Sequence, residues 1–232
     1  MAETQNFDKL NILKRRSIPY DEYFGDMDLT PKQKAKRKEM ALILEDVFYI
    51  FFEMFGKGLE IGFLNELKVK QELTYQLYEA IENSKEAERF FESEEQKDKY
   101  ITDTVNETYR STFENIVREP DTLDYTGTER YWLSDDRAQF IAENESNTLL
   151  NSAEFIEAKE EGYTHKIWMS YGDDRVRLTH QEVDGAKIPI GAYFDVGRAR
   201  MLYPKDVTSE LSTGAECPEE VCNCRCTVSY VK

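Results

Sequence analysis

The chain has 232 residues, with 30 Lys and Arg against 46 Asp and Glu, and a formal charge of −16. Its 13 Phe, 14 Tyr and 2 Trp argue against a disordered chain, and four cysteines are too few for a disulfide scaffold. The acidic balance excludes a generally basic nucleic-acid-binding face.

The first residues carry neither a basic n-region nor an apolar h-region, so no secretory signal is expected. The longest apolar run, Val47 to Phe52, is far short of the ~20 residues a membrane span needs. Folding in a reducing cytosol is therefore expected, with cysteines as thiols or metal ligands.

From Lys14 to Tyr20 no periodicity is visible, and the stretch reads as an extended arm, either docked on a partner or free. Thr30-Pro31 is a helix start: Thr caps free amides, and Pro is tolerated at the first helical position. The helix then carries Lys32, Lys34, Lys36, Arg37 and Lys38. These five cations read as a solvated face or as a contact for an anionic partner, an acidic protein surface or a phosphate backbone. Ala41 to Phe55 is apolar nearly all round, which predicts a helix buried on several sides and loosened or broken at Gly56, Gly58 and Gly62.

Leu73, Leu77, Tyr78 and Ile81 predict a second amphipathic helix, and Ile101, Val105, Tyr109, Phe113 and Ile116 a third. The charged stretch Glu92 to Lys99 reads as an exposed helical face or turn, and Pro120 to Gly127 as a loop. Ser134-Asp135-Asp136 starts another helix, with Gly162 as its C-terminal cap. Beyond Gly162 the helical period ends. Short β segments are predicted at His165–Tyr171, Val176–Thr179, Ala192–Val196 and Cys226–Val231.

Two constellations in this last part carry candidate chemistry. One runs from Lys166 and Trp168 through Asp174, Arg175, Arg177 and His180 to a tight turn at Asp184-Gly185. On an extended segment Arg175 and Arg177 share a face with His180 at its end, and the charges read as a structural ion-pair network in preference to an active site. The other is Cys217, Cys222, Cys224 and Cys226. Residues two apart in an extended segment point the same way, so the last three thiols would line one face and converge on a soft cation. With His180 they form the one reasonable tetrahedral set, and the competing reading is small buried hydrophobes. No phosphate-cradling Gly-rich loop, His-Glu-x-x-His or Gly-x-Ser-x-Gly motif is present.

The ordered series Gly162, Lys166, Trp168, Asp174 to His180, Asp184-Gly185, Phe194, Pro204 and Asn223-Cys224-Arg225-Cys226 resembles the phage Mu F-like minor head protein family. The resemblance runs from about Ser134 to Tyr230. It implies a low-copy virion component inside the capsid near the portal, which helps head assembly and in some relatives leaves with the genome. Relatives often carry cysteine where this chain has His180, an exchange that a zinc ligand tolerates.

The resulting expectation is an α+β chain: a helical region with an N-terminal arm over residues 1–130, then a small minor-head module over 131–232. Its expected function is structural, with portal and capsid proteins as partners, no membrane contact, and a structural zinc on His180, Cys222, Cys224 and Cys226, Cys217 being the other candidate. One rival is a metal-dependent nuclease or hydrolase using Asp174, Arg177 and His180. The other is an ejected, DNA-protecting protein that meets packaged double-stranded DNA through its basic helix.

Overall fold

Pro19 leads into a single helical turn, α1 (Tyr20–Tyr23), in the computed structural model, which describes residues 19–25, 27, 29–117 and 131–232. Residues 14–18 of the expected arm and the loop expected at 120–127 lie outside the described residues. Tyr20 is helical and buried, packing with Phe24 and Met27 against Ala41, while its hydroxyl donates to Glu45 at 2.6 Å.

Helix α2 (Pro31–Glu60) starts as expected. The Thr30 hydroxyl accepts from Gln33 N, and the Gln33 side chain accepts from Thr30 N at 3.0 Å, a reciprocal pair that satisfies two exposed amide donors. Gly56 and Gly58 do not break the helix. Burial of Phe48, Phe51, Phe52 and Phe55 outweighs the ~1 kcal/mol that a glycine costs inside a helix. Gly58 also makes room for the returning chain, since a Cβ there would stand 2.9 Å from Leu64 Cδ1. The turn falls at Gly62, whose φ of +66° favours glycine.

Helix α3 (Glu66–Glu82) is capped by the Asn65 side chain, and α4 (Glu94–Val117) opens on the charged stretch read from the sequence. Helix α5 (Asp135–Glu160) starts at the Ser134 cap and ends in two backbone bonds, Tyr163 N to Ala158 O at 3.0 Å and Gly162 N to Lys159 O at 3.1 Å. That pattern requires the left-handed residue supplied by Gly162, with φ +76°. A single apolar cluster joins α2, α3, α4 and α5, from Met40 to Ala153. The helix expected to open a second module thus shares its core with the preceding helices.

The basic run on α2 is not an open cationic face. Arg37 precedes Met40, Ala41 and Leu44 by three, four and seven residues, so helical geometry carries it onto the buried stripe, and it is fully buried. Lys34 donates to Gly25 O at 2.5 Å, Lys36 pairs with Glu86 at 2.9 Å, and Lys38 pairs with Asp21 at 2.6 Å. Lys32 is exposed. No described helix is long and apolar enough to cross a membrane.

After α5 the chain forms a three-stranded antiparallel sheet in the order β2 (Lys187–Pro189), β1 (His165–Met169), β5 (Thr227–Val231). Two further strands, β3 (Phe194–Val196) and β4 (Ala199–Met201), make a hairpin. The strand expected at Val176–Thr179 is absent: a turn leads into a short helix, α6 (Leu178–Glu182). Arg175 and Arg177 therefore do not share a strand face. A second short helix, α7 (Pro218–Val221), precedes β5. Lys166 and Trp168, two apart on β1, both point into the interior and are fully buried.

Candidate metal centre

His180 comes from α6, and Cys224 and Cys226 from the extended segment that enters β5. All three are buried, and one donor atom from each lies within 4.8 Å of the other two. The His180 Nδ1 atom is 3.3 Å from Cys226 Sγ and 3.5 Å from Cys224 Sγ. On the far side of the ring, Nε2 is 3.1 Å from Glu220 Oε2, which also accepts a hydrogen bond from the Thr179 hydroxyl at 2.8 Å. A carboxylate at Nε2 favours the proton there and leaves the Nδ1 lone pair facing the two sulfurs.

Local sequence explains the convergence. Asn223 has φ +58°, a left-handed conformation that Asn tolerates better than other non-glycine residues, and its amide donates to Asn144 Oδ1 at 2.7 Å. Beyond this bend Cys224 and Cys226 face His180, while Arg225 between them packs over the Tyr171 ring at 3.6 Å. The bend breaks the period of two between Cys222 and Cys224. Cys222 is exposed and Cys217 packs in the apolar cluster with Trp168 and Phe194, so neither joins the donor group. The expected four-ligand set is thus reduced to three.

Electrostatics separates the two inward thiols. Burial disfavours the Cys224 thiolate, but the Cys226 thiol hydrogen bond and the neighbouring His180 ring outweigh it and hold that thiol well below its ordinary range. Cys226 is displaced well upward, because its proton is engaged by Cys224 and the site is buried. The Cys226 backbone N–H also donates to Cys224 Sγ at 3.4 Å. Trp168 packs edge-on against the His180 ring, with centroids 5.6 Å apart.

The structural ion-pair network expected over the segment Asp174 to Arg177 centres on Asp173 instead. Asp173 receives both Arg175, at 3.0 Å, and Arg225, at 2.5 Å, whereas Asp174 is exposed. Its carboxyl is held below the ordinary range: burial raises it, and the Arg225 hydrogen bond more than reverses that. Arg177 donates to Cys222 O at 2.5 Å. Asp174, Arg177 and His180 are therefore not bonded to one another, and the catalytic trio read from the sequence is not assembled. Asp184-Gly185 forms a turn as expected, though between α6 and β2 and not between two extended segments; Asp184 accepts from Ser170 N at 2.7 Å, and Gly185 takes φ +72°.

Sequence reasoning missed Glu220, which no motif marks, and the polar supports behind the cysteines. Asn147 Nδ2 donates to Cys224 O at 3.1 Å, and Asn151 Nδ2 donates to Cys226 O at 3.3 Å. The oxygens of the same two amides accept from Arg37, each at 2.9 Å. Asn147 and Asn151 stand four apart on α5, so one helix face holds both cysteine carbonyls.

Residues 71–229 match the model of the family described as Phage Mu protein F like protein. The chain belongs to that family. No curated protein and no solved structure matches it. The match covers about two thirds of the chain and starts inside α3, well before the Ser134 at which the resemblance was legible by motif. It contains His180, Glu220, both inward cysteines and the asparagines behind them, and excludes Arg37. Membership makes this Mu F-like chain a phage head morphogenesis protein, a virion component of structural type.

Proposed function

We propose that the protein is a minor head protein that acts structurally in head assembly, inside the capsid and close to the portal. The family match over residues 71–229 carries this reading. The packing adds support: α5 is buried against both the helical layer and the cysteine segment, an arrangement suited to a rigid assembly part. Docking on portal or capsid proteins would use exposed apolar side chains. The turn between α2 and α3 offers Ile61, Phe63 and Leu67, each about 70% exposed.

Cross-linking mass spectrometry on intact virions and DNA-free proheads tests the reading. Cross-links to the portal in both particles are expected, and Phe63→Ser should weaken them without unfolding the chain. Cross-links confined to the major capsid lattice, at high copy number, would reject it. Ejection with the genome is a separate outcome of the same experiment, read as loss of the protein from emptied virions.

A further inference from the structure

We propose that His180 Nδ1, Cys224 Sγ and Cys226 Sγ bind one zinc ion as its only protein ligands, with the fourth coordination position open to an adjoining recess. Three observations carry this. First, tetrahedral zinc with bonds of about 2.3 Å to sulfur and 2.0–2.1 Å to nitrogen holds such donors roughly 3.6 Å apart. The nitrogen–sulfur distances of 3.3 and 3.5 Å need only a small expansion to reach that spacing.

Second, both sulfurs converge on a single lone pair. A single cation in this position meets the lone pair and both sulfurs at once. Binding releases to solvent the Cys226 thiol proton, and that of Cys224 where it is still held, leaving a centre of two thiolates, one neutral imidazole and Zn²⁺ with no net charge. Glu220 holds the ring in the required tautomer from behind, and the Cys226 N–H stabilises the Cys224 sulfur.

Third, the remaining side of the donor group faces a recess of about 130 Å³ lined by Tyr171, Arg175, Arg177, Asn223 and Arg225. The neighbouring thiols Cys217 and Cys222 do not enter the donor group. A water, or a donor side chain from another virion protein, would complete the coordination from this recess. The nearby guanidiniums favour an anionic fourth ligand.

The test uses the full chain, purified under reducing, anaerobic conditions with zinc chloride present, and then exchanged into cobalt(II). One zinc per chain by elemental analysis is expected. The cobalt form should show thiolate-to-metal charge-transfer bands for two sulfurs, and these should persist in Cys217→Ser and Cys222→Ser, which retain all three ligands. Titrating the cobalt form with imidazole should shift its d–d bands, because the fourth position exchanges. A metal-free protein, or a Cys224–Cys226 disulfide in the freshly purified chain, would overturn the site. Loss of a thiolate band in Cys217→Ser or Cys222→Ser would overturn the three-ligand set, and d–d bands indifferent to imidazole would overturn the open position.

Discussion

Arg37 on α2 and Glu154 on α5 form a bidentate ion pair, with contacts of 2.6 and 3.1 Å, in the interior between the helical layer and the cysteine segment. Its side chains are 0% and 9% exposed. All three nitrogens of the guanidinium are used, because Nε and Nη2 also donate to Asn147 and Asn151. The pair therefore orients the two amides that hold the carbonyls of Cys224 and Cys226. Removing the guanidinium leaves a buried carboxylate without its counter-charge, which costs about 3–5 kcal/mol. Arg37→Met should lower the unfolding free energy by that amount in urea. Adding Glu154→Leu should recover much of the loss, since the pair is then replaced by apolar volume. Equal stability of wild type and Arg37→Met would show that the pair contributes nothing.

Gly197 decides how Glu220 reaches His180. It turns the β3–β4 hairpin with φ +58°, and a Cβ there would stand 2.1 Å from Glu220 Oε1. Gly197→Ala should destabilise the chain by more than ~1 kcal/mol, from both backbone strain and the displaced carboxylate. The His180 ring nitrogens should then report a changed tautomer balance by NMR. Unaltered ring signals in a folded variant would mean that Glu220 does not set the tautomer.

Lys166 supplies a pH dependence. Its ammonium lies 4.9 Å from the Phe155 ring centre and 5.3 Å from that of Phe194, with no hydrogen-bond partner among the described residues. Burial pushes its pKa down to about 7, against the opposing pull of Asp206. The unfolded chain keeps this proton to about pH 10.4. Between those values the unfolded state binds one proton more than the folded state, so stability rises with pH, by up to about 1.4 kcal/mol per unit. Below about pH 7 both states are protonated and this contribution is flat. Lys166→Met should remove the rise and stabilise the protein most at pH 6. Parallel urea midpoints for the two proteins from pH 6 to 9 would exclude the effect.

Direct binding of duplex DNA through the α2 run should be weak. Neutralising four phosphates gives a slope of log K against log salt of about −3.6. With Arg37 buried and Lys34, Lys36 and Lys38 engaged within the chain, Lys32 is the cation of the run without a partner among the described residues. A slope no steeper than about −1 is expected in a fluorescence anisotropy titration from low to physiological salt. A slope near −3.6 that Lys34→Gln and Lys38→Gln reduce would revive the DNA-protecting reading.

The long helices were legible because their signals are local. Thr30-Pro31 and Ser134-Asp135-Asp136 cap their own amides, Gly162 supplies its own left-handed turn, and apolar residues three and four apart mark the buried stripe. Strands β1, β3 and β5 were legible for the same reason. The expected strand at Val176–Thr179 gave way to α6, which places His180 over Trp168, Cys224 and Cys226. The short β2 and β4 take their form from partners already in place, Lys166 opposite Ile188 and Asp195 opposite Arg200.

By itself the sequence determined the α+β class, the family to which the chain belongs, and the pairing of His180 with Cys224 and Cys226 as candidate ligands. Caps, periods and ordered motifs act over a few residues, and all of them can be read along the chain. Only the tertiary structure decided that Arg37 is interior, that Asp173 in place of Asp174 receives the arginines, and that Cys222 stands apart from the other donors. The Arg37–Glu154 and Asp173–Arg225 pairs join groups more than forty residues apart along the chain. A buried charge must find its counter-charge and a buried amide its acceptor, and spacing along the sequence does not specify where those partners lie.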